Sequence, residues 1–479
     1  MKLSAPTFRV EWELHAWAGV ALSLWAFIVF YCGVFALFRR ELAIWQEPAL
    51  YAASQAPPSF EGVRMALREA ALLPEGAYLS MVPYPGTSFV ASYVKPTGGA
   101  TRMTWVDPRQ GSIVPERTRL SHELYHLHHL QQLPGGEEAS GVAAVFLIVA
   151  LVTGLVIHLK DLPEQLVRLR LGLRPRFSMS DVHKVLGVFG LPFMTVVAWS
   201  GAVFVLGGTY AKGARAVVRD LPPIEALMGD AKLDRAREHV AAATLDLDTL
   251  VRRAQAALGD EATPTYLQLF NDGDRAAWMR LYFPGPAFGG ERVVFLDAVQ
   301  GKVIEQATPP YAIIAHALHN FHFARYGGLI ALLIHAMLAL AGAIVIVTGN
   351  IVWVARRDPQ RERPVHLYIE AATIGVCCGL VLASALYAAA NRLELPFERV
   401  VFYGAWLVAT AVTLILRPSP RRAITWFLGG AALIFASVVG SDLLFAKPIQ
   451  AVVVSDFLFT GLALCSAVAA AASTFAFRR

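Results

Sequence analysis

Long apolar segments alternate with polar ones along the whole chain. Eight of them approach the length of a membrane span, at approximately 14–38, 141–158, 184–207, 326–354, 367–390, 400–416, 423–443 and 452–476. Because a bilayer core about 30 Å thick takes about 20 apolar residues per helix, the pattern predicts eight transmembrane helices. The first segment is too long for a removable signal peptide and lacks a small-residue cleavage site, so we interpret it as a retained helix.

The polar segments that follow the first and third apolar segments share one pattern. Each is about 100 residues long and predicts a short amphipathic helix followed by three strands of alternating polarity. These elements lie at 63–72, 78–82, 88–94 and 103–106 in the first segment, and at 250–258, 266–270, 277–283 and 292–296 in the second. Both copies finish in a turn that starts with Asp and ends with Gly, at 107–111 and 297–301.

Histidine motifs recur with the same spacing, which indicates an internal duplication. His15 is followed by Gly19, and His183 is followed by Gly187 at the same distance. A second histidine follows each polar segment, and a Thr-Gly pair follows that histidine. The equivalent residues are His128 and His322, Thr153-Gly154 and Thr348-Gly349, and Gly33 and Gly201. The repeated unit is therefore helix, polar domain, histidine and helix.

The duplication and the apolar pattern together predict the domain organisation. The predicted parts are a first transmembrane helix at 1–40, a polar domain at 41–120, a histidine segment with the second helix at 121–160, a loop with the third helix at 161–207, a second polar domain at 208–315, a histidine segment with the fourth helix at 316–355, and a bundle of four helices at 356–479. The last four helices lack the repeated motifs, so the sequence predicts no role for them.

Composition supports the membrane assignment, since 56% of the 479 residues are hydrophobic, 16% are charged and the mean hydropathy is +0.49. Lys and Arg collect at both chain ends and in the loops near 160–176, 356–363 and 417–422, with Arg39 and Arg40 as a local exception. Because positive residues stay cytoplasmic, we expect cytoplasmic termini and polar domains on the opposite side of the membrane. Loops that lie against anionic lipid account for the net charge of +6, so no nucleic-acid partner is expected.

Most histidines lie near the ends of the predicted helices, in two layers. His15, His158 and His183 lie at the cytoplasmic rim, and His128 and His322 lie at the opposite rim. Ionisable side chains at membrane depth are costly and tend to mark function. Two such layers in a four-helix core are the arrangement expected for two stacked, non-covalently bound b haems, each held by imidazoles from facing helices. Repeat symmetry favours His15 with His183 and His128 with His322.

Two alternatives stay open at these layers. His158 either replaces His15 as an axial ligand or hydrogen-bonds a haem propionate. Zinc or copper binding competes with haem at the group of histidines between His122 and His129, because His122 and His126 have the i, i+4 spacing of a helical ligand pair. A single rim histidine, taken alone, is more often structural than a ligand.

Several stretches resemble the PepSY-associated transmembrane family, which includes bacterial inner-membrane ferric-siderophore reductases that bind two haems. The matching stretches are 124–128 with 133–134, 152–158, 181–188 with 191–193, and 318–328 with 348–349 and Trp353. Asn391-Arg392-Leu393 resembles a feature of the longer, eight-helix members, and the similarity is weak after about residue 395. Gln132 stands where family members often have another histidine, which is a departure from the family pattern.

The resemblance implies a fold and an activity. The fold is a mainly α-helical integral membrane protein with two periplasmic α+β domains of the PepSY type. The activity is that of an oxidoreductase with two haems b that passes electrons to a periplasmic ferric siderophore and releases Fe(II). The family pattern places His128 and His322 at the outer haem, and it supports His158 beside His15 and His183 at the inner haem.

The sequence restricts the candidate electron donors and argues against two competing functions. The cytoplasmic loops are too short for a nicotinamide or flavin domain and lack a Gly-x-Gly-x-x-Gly turn, so a membrane quinol or a separate redox protein is the expected donor. An iron or siderophore transporter would place broken helices and polar residues at the midplane, and neither is clear here. A sensor or assembly protein that binds peptide through the PepSY-like domains would leave the histidine layers unexplained.

Overall fold

The computed structural model describes residues 5–51, 58–84, 87–116, 120–159, 170, 175–217, 235–285, 291–307, 312–356, 363–446 and 450–476. Among these residues, eight helices are long and apolar enough to span a membrane, which confirms the predicted number. The spans are Pro6–Leu37, Gly136–His158, Phe177–Gly207, Gly328–Ala355, Val365–Arg392, Glu398–Leu416, Pro420–Phe445 and Gln450–Thr474. The protein is therefore a mainly helical membrane protein.

The helices are numbered here in chain order. They are α1 (Ala5–Leu37), α2 (Arg39–Trp45), α3 (Phe60–Glu69), α4 (Leu120–His129), α5 (Gly136–His158), α6 (Pro175–Val217), α7 (Leu247–Leu258), α8 (Ala312–His322), α9 (Gly328–Ala355), α10 (Arg363–Thr373), α11 (Gly379–Arg392), α12 (Glu398–Leu416), α13 (Pro420–Phe445) and α14 (Gln450–Ala476). A short π-helical segment, Ile374–Cys378, joins α10 to α11 within the fifth span.

The chain folds as two compact units. The first unit contains Met1–Gln46, Thr118–Tyr210 and Gly327–Arg479, and it holds all eight spans. Helix α1 packs against α4, α5 and α9, and α13 packs against α11 and α14. Glycines allow some of these helices to approach closely, since a Cβ at Gly342 of α9 would lie 2.7 Å from the Phe30 ring of α1.

The second unit contains Glu47–Arg117 and Ala211–Tyr326 and is built on one antiparallel sheet. Its strands are β1 (Tyr78–Pro83), β2 (Val90–Lys95), β3 (Arg102–Asp107), β4 (Ser112–Pro115), β5 (Tyr266–Phe270), β6 (Trp278–Phe283), β7 (Arg292–Asp297) and β8 (Val303–Ala307). They lie in the order β4-β3-β2-β1-β5-β6-β7-β8, so the two copies of the duplication join where β1 pairs with β5. The predicted three strands per copy are present, and each copy adds a short fourth strand after its Asp-to-Gly turn.

Helices α3 and α7 bury one face of this sheet and cap each other. Their apolar side chains and those of β1, β5 and β6 form a single core. The Asp248 carboxylate of α7 accepts hydrogen bonds from Ser59 Oγ at 2.6 Å and from the Phe60 N–H at 2.7 Å. In return, Glu61 of α3 accepts a hydrogen bond from the Leu247 N–H at 3.0 Å. The first N–H groups of both helices are thus satisfied across the two copies.

A buried ion pair also joins the copies. Arg64 of α3 lies 3.1 Å from Asp272, which follows β5, and their side chains are only 6% and 4% exposed. Arg68 lies 2.7 Å from the same carboxylate. Removing one partner of a buried pair leaves an uncompensated charge, which costs about 3–5 kcal/mol.

We therefore expect Asp272→Ala to destabilise the second unit by about 3 kcal/mol, the lower end of this range, because Arg64 would stay buried with Glu61 at 2.7 Å but without Asp272. Asp246→Ala is the matched control, since the Asp246 carboxylate is 48% exposed and caps only the first turn of α7. A lost cap costs about 1 kcal/mol. Hydrogen exchange of the sheet amides in the full-length protein measures the stability of the second unit in both variants. Equal losses of stability would show that the buried ion pair contributes no more than the exposed cap.

Candidate functional site

Three of the histidines that the duplication singles out share one local geometry. In each, the ring nitrogen Nδ1 lies at hydrogen-bond distance from a backbone carbonyl oxygen on a neighbouring helix. The three contacts join His15 to Ala150 at 2.8 Å, His183 to Val345 at 2.8 Å and His128 to Val29 at 2.7 Å. The neighbouring helices are α5, α9 and α1 respectively.

These hydrogen bonds determine which nitrogen of each ring carries the proton. A carbonyl oxygen can only accept, so Nδ1 must donate its N–H. In a neutral imidazole the lone pair is then on Nε2, which is the nitrogen left to bind a metal. Such a bond also holds the plane of the ring, as it does for histidines that ligate metals in other proteins. In His15, His183 and His128, Nε2 is therefore the ring nitrogen that would accept a metal.

A glycine stands four residues after each accepting carbonyl and makes room for the ring. A Cβ added at Gly154 would lie 2.8 Å from Cε1 of His15, and one at Gly349 would lie 3.0 Å from Cε1 of His183. At Gly33 the corresponding distance to Cε1 of His128 is 3.1 Å. The repeated Gly of the Thr-Gly pairs thus has a physical reason, because any side chain there would press on an imidazole.

A cavity of about 570 Å³ lies between α1, α5, α6 and α9, and we call it the histidine cavity. His15, His158 and His183 line it, and most of its remaining wall is apolar. Its volume falls within the range of about 300–1,000 Å³ that is usual for cofactor pockets. Gly19 and Gly187 also line it, and no heavy atom lies within 4 Å of a Cβ added at Gly19, so a flat group can approach this backbone.

The spacing of His15 and His183 across this cavity fits a metal held between them. Their ring centres are 6.1 Å apart, and the ring planes are inclined at 72°. A metal lies about 2 Å from an imidazole nitrogen, and about 1 Å separates that nitrogen from its ring centre, so two axial rings have centres about 6 Å apart. The apolar wall would suit a flat macrocycle such as haem, and the spacing of His15 and His183 would let both imidazoles hold its metal.

The rim of the histidine cavity carries two cations and one carboxylate, that of Glu13. Lys184 of α6 and Arg356, which follows α9, both line the cavity. The Arg356 guanidinium also lies 4.5 Å from the centre of the Trp12 ring, which holds it over this end of α1. Asp181 pairs with Lys184 at 3.2 Å and with Arg170 at 2.7 Å. Cations in this position suit the carboxylates of a cofactor whose ring lies in the apolar interior.

His158 ends α5 and lines the same cavity. The geometry therefore brings together all three histidines predicted for this rim, with His15 and His183 as the opposed pair and His158 on the wall. Sequence reasoning did not find Lys184 or Arg356, because single cations at a helix end are common.

The histidines of α4 lie at the other end of the spans. Burial lowers the pKa of His128 to about 4, and the neighbouring His129 adds to this lowering, so His128 is neutral at pH 7. The chain turns directly after α4, where Leu130 has a φ of 54° and Gly135 one of 69°. His322 ends α8 in the second unit, where its ring contacts Phe323. The proposed pairing of His128 with His322 stays a prediction from the repeat.

The structure also gives contacts for the other histidines of α4 and for His335. The rings of His122 and His126 lie 4.0 Å apart, and those of His128 and His129 lie 4.9 Å apart. Within the described residues, however, no three His, Cys, Asp or Glu side chains are placed to hold a metal ion between them. His335, inside α9, is buried, and its Nδ1 lies 3.0 Å from the Ala331 carbonyl oxygen of its own helix.

Comparison with known proteins places the chain in a family. A family model described as the PepSY-associated TM region matches residues 12–356. The chain is also 26% identical over 310 residues to an uncharacterized protein of Pseudomonas aeruginosa, and this match covers 60% of the chain and 78% of that relative. The family is associated with haem-binding membrane proteins. Since the model covers both copies of the duplication and all five candidate histidines, the chain belongs to the PepSY-associated TM region family.

Proposed function

We propose that this protein is a di-haem b reductase of the bacterial inner membrane that delivers electrons to a ferric siderophore on the periplasmic side. The observation that carries the proposal is the opposed pair of His15 and His183, 6.1 Å apart across the histidine cavity. Haem supplies one-electron chemistry when it is bound. The protein supplies the axial imidazoles, the apolar surroundings and the separation from water.

The three histidines and the two cations of the histidine cavity each have a distinct part in this proposal. The Ala150 and Val345 carbonyls keep Nδ1 of the two axial histidines protonated, so that Nε2 is free to bind iron. Lys184 and Arg356, which line the cavity, would pair with the carboxylates of a bound haem. In this proposal His158 hydrogen-bonds a propionate; the alternative is that it replaces His15 as the partner of His183.

The outer haem in this proposal is held by His128 with its repeat equivalent His322. His128 has the same carbonyl bond and the same adjacent glycine as the two inner ligands. Burial keeps its imidazole neutral, which leaves the lone pair available for iron at pH 7. Haems at the two rims would give electrons a route across the bilayer.

The positions of the Lys and Arg residues favour an orientation with both termini in the cytoplasm. The second unit would then face the periplasm, where the ferric chelate arrives. Hard hydroxamate or catecholate oxygens prefer Fe(III) to Fe(II), so reduction weakens the chelate and releases iron. The proposed donor is a membrane quinol or a separate redox protein, since the cytoplasmic loops are too short for a nucleotide-binding domain.

Purification of the full-length protein tests the proposal directly. We expect a Soret band, b-type α bands on reduction, and two haems per chain by pyridine haemochrome and protein assay. Reduced protein should be reoxidised by a ferric siderophore. A preparation from haem-supplemented cells that contains no haem would contradict the proposed reductase. It would favour an iron or siderophore transporter or a peptide-binding sensor.

The glycine beside His183 provides a test of the site geometry. We expect Gly349→Ala to displace the His183 ring and lower the retention of the inner haem by roughly 10-fold, as changes next to metal ligands typically do. Gly404→Ala in α12 is the matched control, because no heavy atom lies within 4 Å of a Cβ added there. Haem transfer to apomyoglobin measures retention, and equal retention in the two variants would argue against the placement of His183.

A further inference from the structure

The four appended spans, α10 to α14, are connected to the histidine-bearing core by the short helix α2. Trp45 at the end of α2 donates from Nε1 to the Asp442 carboxylate of α13 at 2.7 Å. Its ring centre lies 4.8 Å from that of Phe459 in α14 and 3.9 Å from the guanidinium carbon of Arg392 in α11. Arg392 Nη1 also donates to the Trp45 carbonyl at 3.0 Å. Trp45 is fully buried, so three of the appended helices hold it.

Gln46, the residue after Trp45, connects the end of α2 to α4, the helix that contains His128. Gln46 Oε1 accepts a hydrogen bond from the Ser121 N–H, in the first turn of α4, at 3.0 Å. The Gln46 carbonyl in turn accepts from Asn391 Nδ2 of α11 at 3.4 Å. Gln46 is 2% exposed, and the first N–H groups of a helix need such partners when they are buried. Asn391 and Arg392, which stand out in the sequence, thus act together on α2.

A second connection reaches α4 directly from α12. Glu123 in the first turn of α4 is 5% exposed. Its carboxylate accepts a hydrogen bond from the Tyr403 hydroxyl at 2.8 Å and pairs with Arg399 Nη2 at 2.8 Å. A buried carboxylate without partners would be costly, so these two residues determine where the first turn of α4 can lie.

We propose that the appended spans position the outer haem ligand, with Gln46 and Glu123 as the positioning residues that they hold. Helix α4 has only ten residues, with its first turn held by α2, α11 and α12 and its last turn carrying His128. Glu123 and His128 are about 7.5 Å apart along the axis at 1.5 Å per residue. A shift of the first turn therefore moves the imidazole relative to the Val29 carbonyl that orients it.

This inference rests on the proposed function, because it takes His128 as an outer haem ligand. The inner haem serves as an internal reference for the outer haem. The ring hydrogen bonds of His15 and His183 go to α5 and α9 and not to the appended spans. A positioning role predicts that the outer haem changes while the inner haem of the same molecules does not. General loss of stability predicts that both change together.

The test compares Glu123→Ala, Glu123→Gln and Thr425→Val in the full-length, haem-loaded protein. Glu123→Ala removes the acceptor for Tyr403 and Arg399, and we expect roughly 10-fold weaker retention of the outer haem, a shifted low-spin EPR signal and a shifted midpoint potential for that haem alone. Glu123→Gln keeps an oxygen that can accept from Tyr403, so it should restore most of the signal. Thr425→Val is the control, because it removes a hydroxyl contact to Ser473, at 3.1 Å, that lies within the appended bundle.

The outcomes separate this inference from the proposed function. An altered outer signal with an intact inner signal supports the positioning role. Unchanged spectra and potentials in Glu123→Ala would overturn it and leave the di-haem reductase standing, and so would equal changes at both haems. A parent protein with no second haem would overturn the outer haem assignment and the positioning role together.

Discussion

The His183→Ala variant is expected to lose the inner haem. His183 is opposed to His15 across the histidine cavity, and its ring is oriented by the Val345 carbonyl. With this imidazole gone, a haem at the site would be held by a single histidine and would bind more weakly. We expect haem content to fall from two per chain to about one, with low-spin signals from the outer site intact. Pyridine haemochrome assay and EPR measure both quantities.

His15→Ala and His158→Ala distinguish the two candidates for the opposite axial position. The opposed rings and the Ala150 bond predict that His15→Ala loses the haem as His183→Ala does. His158→Ala should keep the haem and change only its potential, because a lost propionate contact alters the surroundings and not the ligation. Haem loss in His158→Ala with full haem in His15→Ala would reverse this assignment.

The His128→Ala variant is expected to remove the outer haem and stop ferric-chelate reduction while leaving the inner haem in place. The two rims of the bilayer core are about 30 Å apart, so losing one axial ligand does not disturb the far site. His322→Ala should give the same result, since His322 is the repeat equivalent of His128. Quinol-driven reduction of a ferric siderophore and the reduced spectrum of the remaining haem measure the effect.

The neighbouring histidine provides the control for this experiment. His129→Ala changes a ring that contacts His128 and Tyr125, but it has no bond of its own to the Val29 carbonyl. We expect it to keep two haems and most of the reductase activity. If His129→Ala lost the outer haem and His128→Ala kept it, the ligand would be the next residue along α4. Full haem content in both His128→Ala and His322→Ala would remove the outer site from the proposal.

The spans and the residues of the candidate site were predictable because each leaves a strong pattern. Eight apolar segments become eight spans, and the helix that contains the first segment starts well before it, since α1 begins at Ala5 and the apolar segment near residue 14. Its first turns contain Arg9, Glu11 and Glu13, whose charges hide a helix from a hydropathy argument. The His-x-x-x-Gly and Thr-Gly repeats were visible in the sequence, and the structure supplies the reason for their glycines.

Other features depend on contacts that no local pattern encodes. The pairing of β1 with β5 joins strands far apart in the chain, and nothing in either strand marks it. The short strands β4 and β8 were missed because Ser112–Pro115 and Val303–Ala307 lack a clear alternation of polarity. The role of Asn391 and Arg392 follows only from their contacts with Gln46 and Trp45, which lie just before the second unit begins at Glu47.

The joined sheet also constrains the order in which the protein can be assembled during synthesis. Strand β1 is complete on one side once β2 is made, but its other side is an open edge until β5 pairs with it. Two membrane spans, Gly136–His158 and Phe177–Gly207, lie between β1 and β5 in the chain. An unpaired strand edge is a template for wrong partners. The first copy must therefore wait, with an open edge, until the second and third spans have been inserted and β5 has emerged on the same side of the membrane.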